Sequence, residues 1–250
     1  MRLISLNIWH GRRYQQIMDF ISHNRRSTDI FCFQEVHNQR AGSVHAVQEN
    51  ANGIVPDIYN RIQAGLRGFS GHLSGEYSSL HERLAIMSAE SIEVSGEGEL
   101  LLCRQKKVVV DGNAFSEGSR LQWVSFECED GQFTIANVHG FWVPGSKDDS
   151  QESILQSEKI IEFLRARDGA TILCGDLNLS PQTRSIAMLD ERMRNLINEY
   201  GVSTTRSSFT PPEKGRYADY IFVSRKVNVK NFKVMKDEVS DHLPLLLEFY

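Results

Sequence analysis

Six short apolar runs in this chain each carry an amide, a carboxylate or an imidazole at one end. Asn7 follows residues 3–6, Glu35 follows 30–33, and Asn137 and His139 close the run that begins at 133. Asp176 and Asn178 follow 171–174, Asp219 opens 220–223, and Asp241 with His242 precedes 243–249. Short alternating or wholly apolar runs are the pattern of strands half or fully buried in a sheet. Nothing in the burial of a sandwich requires polar groups at the same place in strand after strand. If the sheets bring those ends to one edge, the groups converge on a cleft, and rigid strand ends are where sites are built.

The rest of the chain fits that frame. Residues 3–8 read as a strand, Tyr14, Ile17, Met18 and Ile21 fall at helical spacing, and 29–33 reads as a second strand. Across residues 37–81, glycine and serine recur from Gly42 and Ser43 to Gly75, and a mobile or variable surface region is expected. From 83 to 138 the texture is β, with runs at 84–87, 100–110, 121–126 and 133–138, and with Asp111-Gly112 and Asp130-Gly131 as hairpin turns. Residues 153–167 place Ile154, Ile161 and Leu164 on one face of an amphipathic helix. After the run at 171–174, Ser180-Pro181 reads as a helix start, and Ile186, Leu189, Met193, Leu196 and Ile197 as one helical face. Strands at 217–223 and 243–249 flank an alternating segment at 227–234. The expectation is one domain over residues 1–250, an α+β two-sheet sandwich with helices packed outside.

Composition enters at the question of substrate. The 28 basic and 32 acidic residues give a net charge of −4, which argues against a surface that grips long nucleic acid. Phosphate chemistry stays open, because a divalent cation can supply positive charge locally. Cys32, Cys103, Cys128 and Cys174 stand singly in apolar or strand-like runs and read as free buried thiols. The chain enters its first strand at once, leaving no room for a signal peptide, and no apolar run approaches the ~20 residues of a membrane helix. A cytoplasmic protein without membrane contact is expected.

Each polar strand end has a plain structural reading. Asn7 and Asn178 could form turns, Glu35 could be a solvated strand end, His139 a surface histidine, Asp176 an Asx turn, and Asp219 a partner of Arg216. All of these must hold at once for the set to mean nothing, whereas as chemistry the set is coherent. Glu35 and Asp241, with Asn7 nearby, offer the oxygen donors that Mg²⁺ takes. The lack of a cysteine cluster or an H-E-x-x-H motif argues against built-in zinc. Two histidines beside carboxylates suit phosphoryl transfer, with Asp176 holding or deprotonating the attacking water and Asp219 orienting His242.

Six segments then carry a resemblance: Leu6-Asn7-Ile8-Trp9, Phe33-Gln34-Glu35-Val36, Asn137-Val138-His139-Gly140, Gly175-Asp176-Leu177-Asn178, Ala218-Asp219-Tyr220-Ile221 and Ser240-Asp241-His242. In this order they resemble the endonuclease/exonuclease/phosphatase superfamily, the DNase I-like fold, from Asn7 to His242. The resemblance implies a four-layer α/β/β/α sandwich and a hydrolase dependent on Mg²⁺ or Mn²⁺ that cleaves a phosphoester by in-line attack of water. It implies Glu35 as principal metal ligand, Asn7 as metal-site amide and Asp241 as a nearby metal-site carboxylate. It implies Asp176 as the water-activating aspartate, Asn178 as the phosphate-binding asparagine, and Asp219 with His242 as the aspartate–histidine pair. His139 stands where AP endonucleases usually have tyrosine, so the chain resembles the branches of DNase I, deadenylases, sphingomyelinases, inositol polyphosphate phosphatases and tyrosyl-DNA phosphodiesterases.

Arg120 sits where several members of that superfamily have a basic residue before the central strand, and Asn137 joins it as an expected substrate contact. Trp142, in the loop after His139, could stack on a base or an apolar leaving group, or simply pack the loop down. His10, Arg12, Arg13 and His37 flank the metal-site strands and could meet further phosphates. The expected partner is a phosphoester, a nucleotide or single-stranded nucleic acid included, acted on by a monomer. The alternatives are a nuclease acting on DNA or RNA and, from another class, a catalytically silent binding protein. Against the last stands the fact that every expected catalytic position is filled.

Overall fold

The computed structural model describes residues 1–39, 53–110, 113–128 and 131–250. A parallel unit opens the fold: β1 (Arg2–Asn7) and β2 (Ile30–Val36) lie side by side, joined by α1 (Tyr14–Asn24). Parallel neighbours need such a crossover, because the chain must return to the same end of the sheet. Next come α2 (Ile58–Gly65), β3 (Phe69–Leu73), β4 (Arg83–Ala89) and a long antiparallel pair, β5 (Val94–Val110) and β6 (Asn113–Cys128). A second parallel unit follows, β7 (Gly131–His139), α3 (Gln151–Arg165) and β8 (Ala170–Asp176). The chain closes with α4 (Arg184–Asp190), β9 (Arg194–Asn195), α5 (Leu196–Glu199), β10 (Asp219–Val223), β11 (Val229–Val234) and β12 (Leu245–Phe249).

The strands form two six-stranded sheets, ordered β11-β12-β1-β2-β4-β3 and β5-β6-β7-β8-β10-β9. Strand alternation divides the apolar residues between layers. Leu3, Ile30, Cys32, Ile86, Leu245 and Leu247 join the core shared with the second sheet. Their neighbours Ile4, Leu6, Phe31, Phe33, Met87 and Leu246 face the other way, into a core with Ile17, Ile21, Ile58 and Ile62 of α1 and α2. Ile160 of α3, Ile186 of α4 and Leu196 of α5 cover the second sheet. The result is the expected α+β sandwich with helices on both outer faces. Complete burial of side chains of this size contributes about 1.5–3 kcal/mol each.

Three regions differ from the sequence reading. Within residues 37–81, α2 and β3 are regular elements, because Ile58, Ile62 and Leu66 at helical spacing pack beneath the first sheet; Gly42 and Ser43 lie outside the described residues. The helical face expected from Ile186 to Ile197 is broken in two. Arg194 and Asn195 pair with β10, and the Asn195 side chain then accepts from the Ile197 N–H to start α5, so sheet pairing overrides the helical period. The N-cap of α4 is Thr183 rather than Ser180-Pro181. The Asp111-Gly112 turn and Asp130 lie outside the described residues. All four cysteines are free, but only Cys32 and Cys174 are buried; Cys103 is half-buried and Cys128 exposed. Among the described residues no helix is long and apolar enough to cross a membrane.

Candidate active site

The topology gathers one edge of both sheets. β1, β7 and β8 end there on Asn7, His139 and Asp176, and β2 ends there one residue beyond Glu35. β10 runs antiparallel to β8 with Asp219 opposite Asp176, and β12 runs antiparallel to β1 with Asp241 and His242 just before it. β4 is antiparallel to β2, so Glu82, which precedes it, arrives at the same edge. β6 pairs Arg120 with His139 at the end of β7, so Glu117 lies on the part of the β5–β6 hairpin that overhangs that edge. These groups border a cleft of about 540 Å³ lined by Glu35, Glu82, Glu117, His139, Asp176, Asn178, Asp241 and His242.

Backbone strain concentrates at this rim. Trp9, His10, Glu35 and Asn178, all lining the cleft, have φ of 48°, 56°, 58° and 57°. Side chains other than glycine rarely adopt this region, and such residues cluster at functional sites. At Glu35 the positive φ coincides with a register shift between β2 and β4, which re-aims the carboxylate out of the alternation. Gly175 (φ 131°) lets β8 pass so close to β7 that a Cβ would lie 2.1 Å from the Val138 carbonyl oxygen.

On the first wall, Asn7 donates to Glu35 Oε1 at 2.9 Å and to Asp176 Oδ2 at 3.1 Å, tying the two sheets together. His10 Nε2 lies 3.2 Å from Glu35 Oε2, and His10 Nδ1 lies 3.4 Å from Glu82 Oε1. Burial opposes ionisation of Glu35, yet His10, His139 and His242 hold its carboxyl well below the usual range. Glu82 is pushed up by burial, and Glu117 to about 9 by burial and by Glu82. Burial works against a charge on His139, but Glu35 and Asp176 carry it to about 9.

On the second wall, Asp176 Oδ1 accepts from the Asn178 N–H at 2.8 Å, while His139 Nε2 and His242 Nε2 stand 3.8 and 3.6 Å from Oδ2. Burial favours the neutral acid, but His242, His139, Lys147 and Arg206 together keep the Asp176 pKa below its ordinary value. Asp219 holds His242 through Nδ1 at 2.8 Å. Arg206 bonds the opposite nitrogen, Nε2, and lies 3.5 Å from Asp241. Burial and Arg206 press the His242 pKa down; Asp219, Asp241 and Asp176 outweigh them and raise it.

Among the described residues, three groups bring one ligand atom from each residue within 4.8 Å of the others: His10, Glu35 and Glu82; Glu35, His139 and Asp176; and Asp176, Asp219 and His242. Glu35 Oε2 is buried without a hydrogen bond. A buried carboxylate oxygen left open among carboxylate and imidazole donors fits a divalent cation of the Mg²⁺ or Mn²⁺ type.

The model of the Endonuclease/Exonuclease/phosphatase family matches residues 4–242. The chain belongs to this family. Solved structures share the fold across the whole chain. A Bacteroides thetaiotaomicron protein of the same family is 19% identical, with TM-score 0.70 over 100% of this chain and 94% of that one. A mannosyl-6-phosphatase of Bacteroides thetaiotaomicron is 19% identical, with TM-score 0.72 over 100% and 99%. The human nocturnin catalytic domain is 16% identical, with TM-score 0.66 over 100% and 94%. No curated protein matches the sequence.

Of the residues singled out in the sequence, Glu35, His139, Trp142, Asp176, Asn178, Asp241 and His242 line the cleft, and Asp219 lies directly behind His242. Four are placed differently from expectation. Asn7 has its amide oxygen occupied by the Trp9 N–H, so it positions Glu35 and Asp176. Asn137 bridges the sheets, accepting from Gln34 at 2.7 Å and donating to the Phe33 carbonyl at 3.0 Å. Arg120 is held outside the cleft by Glu99 and the Glu76 carbonyl. Asp241 faces Arg206 and belongs to none of the three donor groups. His10 and Arg12 reach the cleft, whereas Arg13 stacks on Phe209 and His37 is buried behind His10. Glu82, Glu117, Lys147 and Arg206 went unread, although a strand that starts beside the end of an antiparallel neighbour shares its edge, which points to Glu82.

Proposed function

We propose that this family member is a divalent-metal-dependent phosphoesterase that hydrolyses a phosphodiester or phosphomonoester by in-line attack of water. The observation that carries this reading is Asp176, whose carboxylate is ionised, fixed by Asn7 and Asn178, and placed between two histidines at the bottom of the cleft. Glu35, with His10 and Glu82, would hold Mg²⁺ or Mn²⁺, which when bound supplies positive charge to a phosphoryl oxygen. Asp176 takes the proton of the attacking water on its carboxylate. His139, with its pKa raised to about 9, offers a cationic N–H to the oxygens on which charge grows, while Asp219 and Arg206 hold the ring of His242 at its two nitrogens, Nδ1 and Nε2. The four free cysteines suit a cytoplasmic setting, and a monomer is part of this reading.

The test is turnover of p-nitrophenyl phosphate, bis-p-nitrophenyl phosphate and a fluorescent oligonucleotide with Mg²⁺, Mn²⁺ or EDTA. Turnover with metal and none in EDTA is expected. Inactivity on every substrate under every metal would leave the binding-protein alternative in possession.

A further inference from the structure

We infer that Lys147, Arg206 and Asn178 form a clamp for a terminal phosphate dianion, so that the cleft takes a phosphomonoester in preference to a phosphodiester. The inference rests on the hydrolytic reading above and names its substrate class.

Arg206 is buried and Lys147 half-buried, each with donors to spare. The Arg206 side chain is 7% exposed; one terminal nitrogen bonds His242 Nε2, Asp241 stands at 3.5 Å, outside good hydrogen-bond distance, and Nε has no hydrogen-bond partner. Lys147 donates to Asn178 Oδ1 at 2.5 Å, an uncharged acceptor that leaves the other ammonium hydrogens over. Burial pulls the Lys147 ammonium down to about 8. A cation kept out of water without a full charge partner is unfavourable unless something else supplies the charge. The nearby carboxylates are largely engaged: Asp219 by His242, and Asp176 by Asn7 and Asn178.

The backbone fixes both groups in advance. The Lys147 carbonyl accepts from the Ser180 N–H at 2.8 Å, and Val143 bridges Ser146, so this loop is tied to the segment after Asn178. Arg206 forms an antiparallel bridge with His242, and its N–H donates to Thr204 Oγ1 at 3.0 Å. Donors held in place before binding lose little freedom when an anion arrives. A phosphomonoester presents three terminal oxygens and a charge near −2 at neutral pH, whereas a diester presents two oxygens and −1. Two cations beside an amide, one buried and one half-buried, match the former and exceed what the latter needs.

The test compares kcat/KM for p-nitrophenyl phosphate and bis-p-nitrophenyl phosphate at fixed Mn²⁺ in the wild type, Lys147→Gln, Arg206→Gln and the charge-preserving Arg206→Lys. Inorganic phosphate is also titrated calorimetrically into the metal-free proteins. Each lost cation is expected to cost about 10- to 100-fold on the monoester and in phosphate affinity, with at most a few-fold loss on the diester and partial recovery in Arg206→Lys. Equal losses on both esters, or unchanged phosphate affinity in both Gln variants, overturn the clamp. If neither ester is turned over with any metal, the hydrolytic reading falls, and the phosphate titration alone decides the clamp.

Discussion

The two walls of the cleft balance their charges differently. On the first, Glu82 and Glu117 are buried beside the half-buried Glu35, and two of the three carboxyls are pushed toward the neutral acid by burial and by one another. On the second, Asp176, Asp219 and Asp241 each face a histidine, lysine or arginine of the same wall. Both walls are built alike, from a parallel strand pair with a helical crossover and a residue of left-handed φ at the exit, Glu35 in one and Asn178 in the other. Equal scaffolding with unequal electrostatics separates their tasks. The first wall gathers carboxyls that burial and one another push toward the neutral acid, whereas the second pairs its carboxylates within the chain.

Asp176 tests whether both walls act on one reaction, since Asn7 of the first and Asn178 of the second hold it. Asp176→Asn keeps the shape but cannot take a proton, so kcat is expected to fall about 10²- to 10⁴-fold with the melting temperature little changed. A kcat near wild type at saturating metal and substrate moves water activation elsewhere.

The second wall is expected to behave as a unit. Asp219→Asn removes the leading carboxylate that raises His242, so the alkaline limb of the pH–rate profile shifts to lower pH. His242→Ala should lower kcat and abolish that limb. The double variant should be no worse than about the poorer single one, because residues acting as one group cannot be lost twice. Strict additivity, or an unmoved limb in Asp219→Asn, would uncouple the pair.

The legible part of the site is the part carried on strand ends. Glu35, His139, Asp176 and His242 could be found because each follows or precedes an apolar run, and sheet pairing does the rest. Glu117 and Arg206 could not. Glu117 reaches the cleft only because β6 outruns β7, and Arg206 only because its segment bridges to His242, both long-range facts. Asn137 shows the converse: the right residue type at a strand end turned inward to the Phe33 and Ala85 carbonyls. In the fold, strand pairing at Arg194 and Asn195 hid the break between α4 and α5, and glycines masked the short apolar face of α2.

Metal titration sharpens the contrast between the walls. Glu35→Ala should weaken Mn²⁺ affinity at least about tenfold, since it removes the carboxylate shared by two donor groups. Asp241→Ala should leave that affinity close to wild type, because Asp241 faces Arg206 on the second wall. Equal losses in the two variants would mean that one ion spans both walls.

Stability is also expected to depend on pH, with a sign that differs between the walls. Burial and Glu82 carry Glu117 to about 9 in the folded protein, against an ordinary value of 4.5, so the folded metal-free protein binds an extra proton between those values. The stability this represents is fully present below the unfolded pKa and is lost as pH rises through the folded one. Glu117→Gln mimics the neutral acid and removes the loss. In urea unfolding without metal, the two proteins should converge toward pH 4.5, and the wild type should fall behind by up to about 1.4 kcal/mol per pH unit as pH rises toward 9. Lys147 runs the other way, because burial lowers it to about 8 in the folded protein, below its ordinary value of 10.5. Its contribution is present above the unfolded value and lost as pH falls through about 8, so the wild type should gain on Lys147→Gln as pH rises from 8. Mn²⁺ should narrow the Glu117→Gln gap, since a cation on the first wall offsets the charge that burial disfavours. Parallel stability profiles for wild type and both variants would show that neither wall carries the imbalance assigned to it.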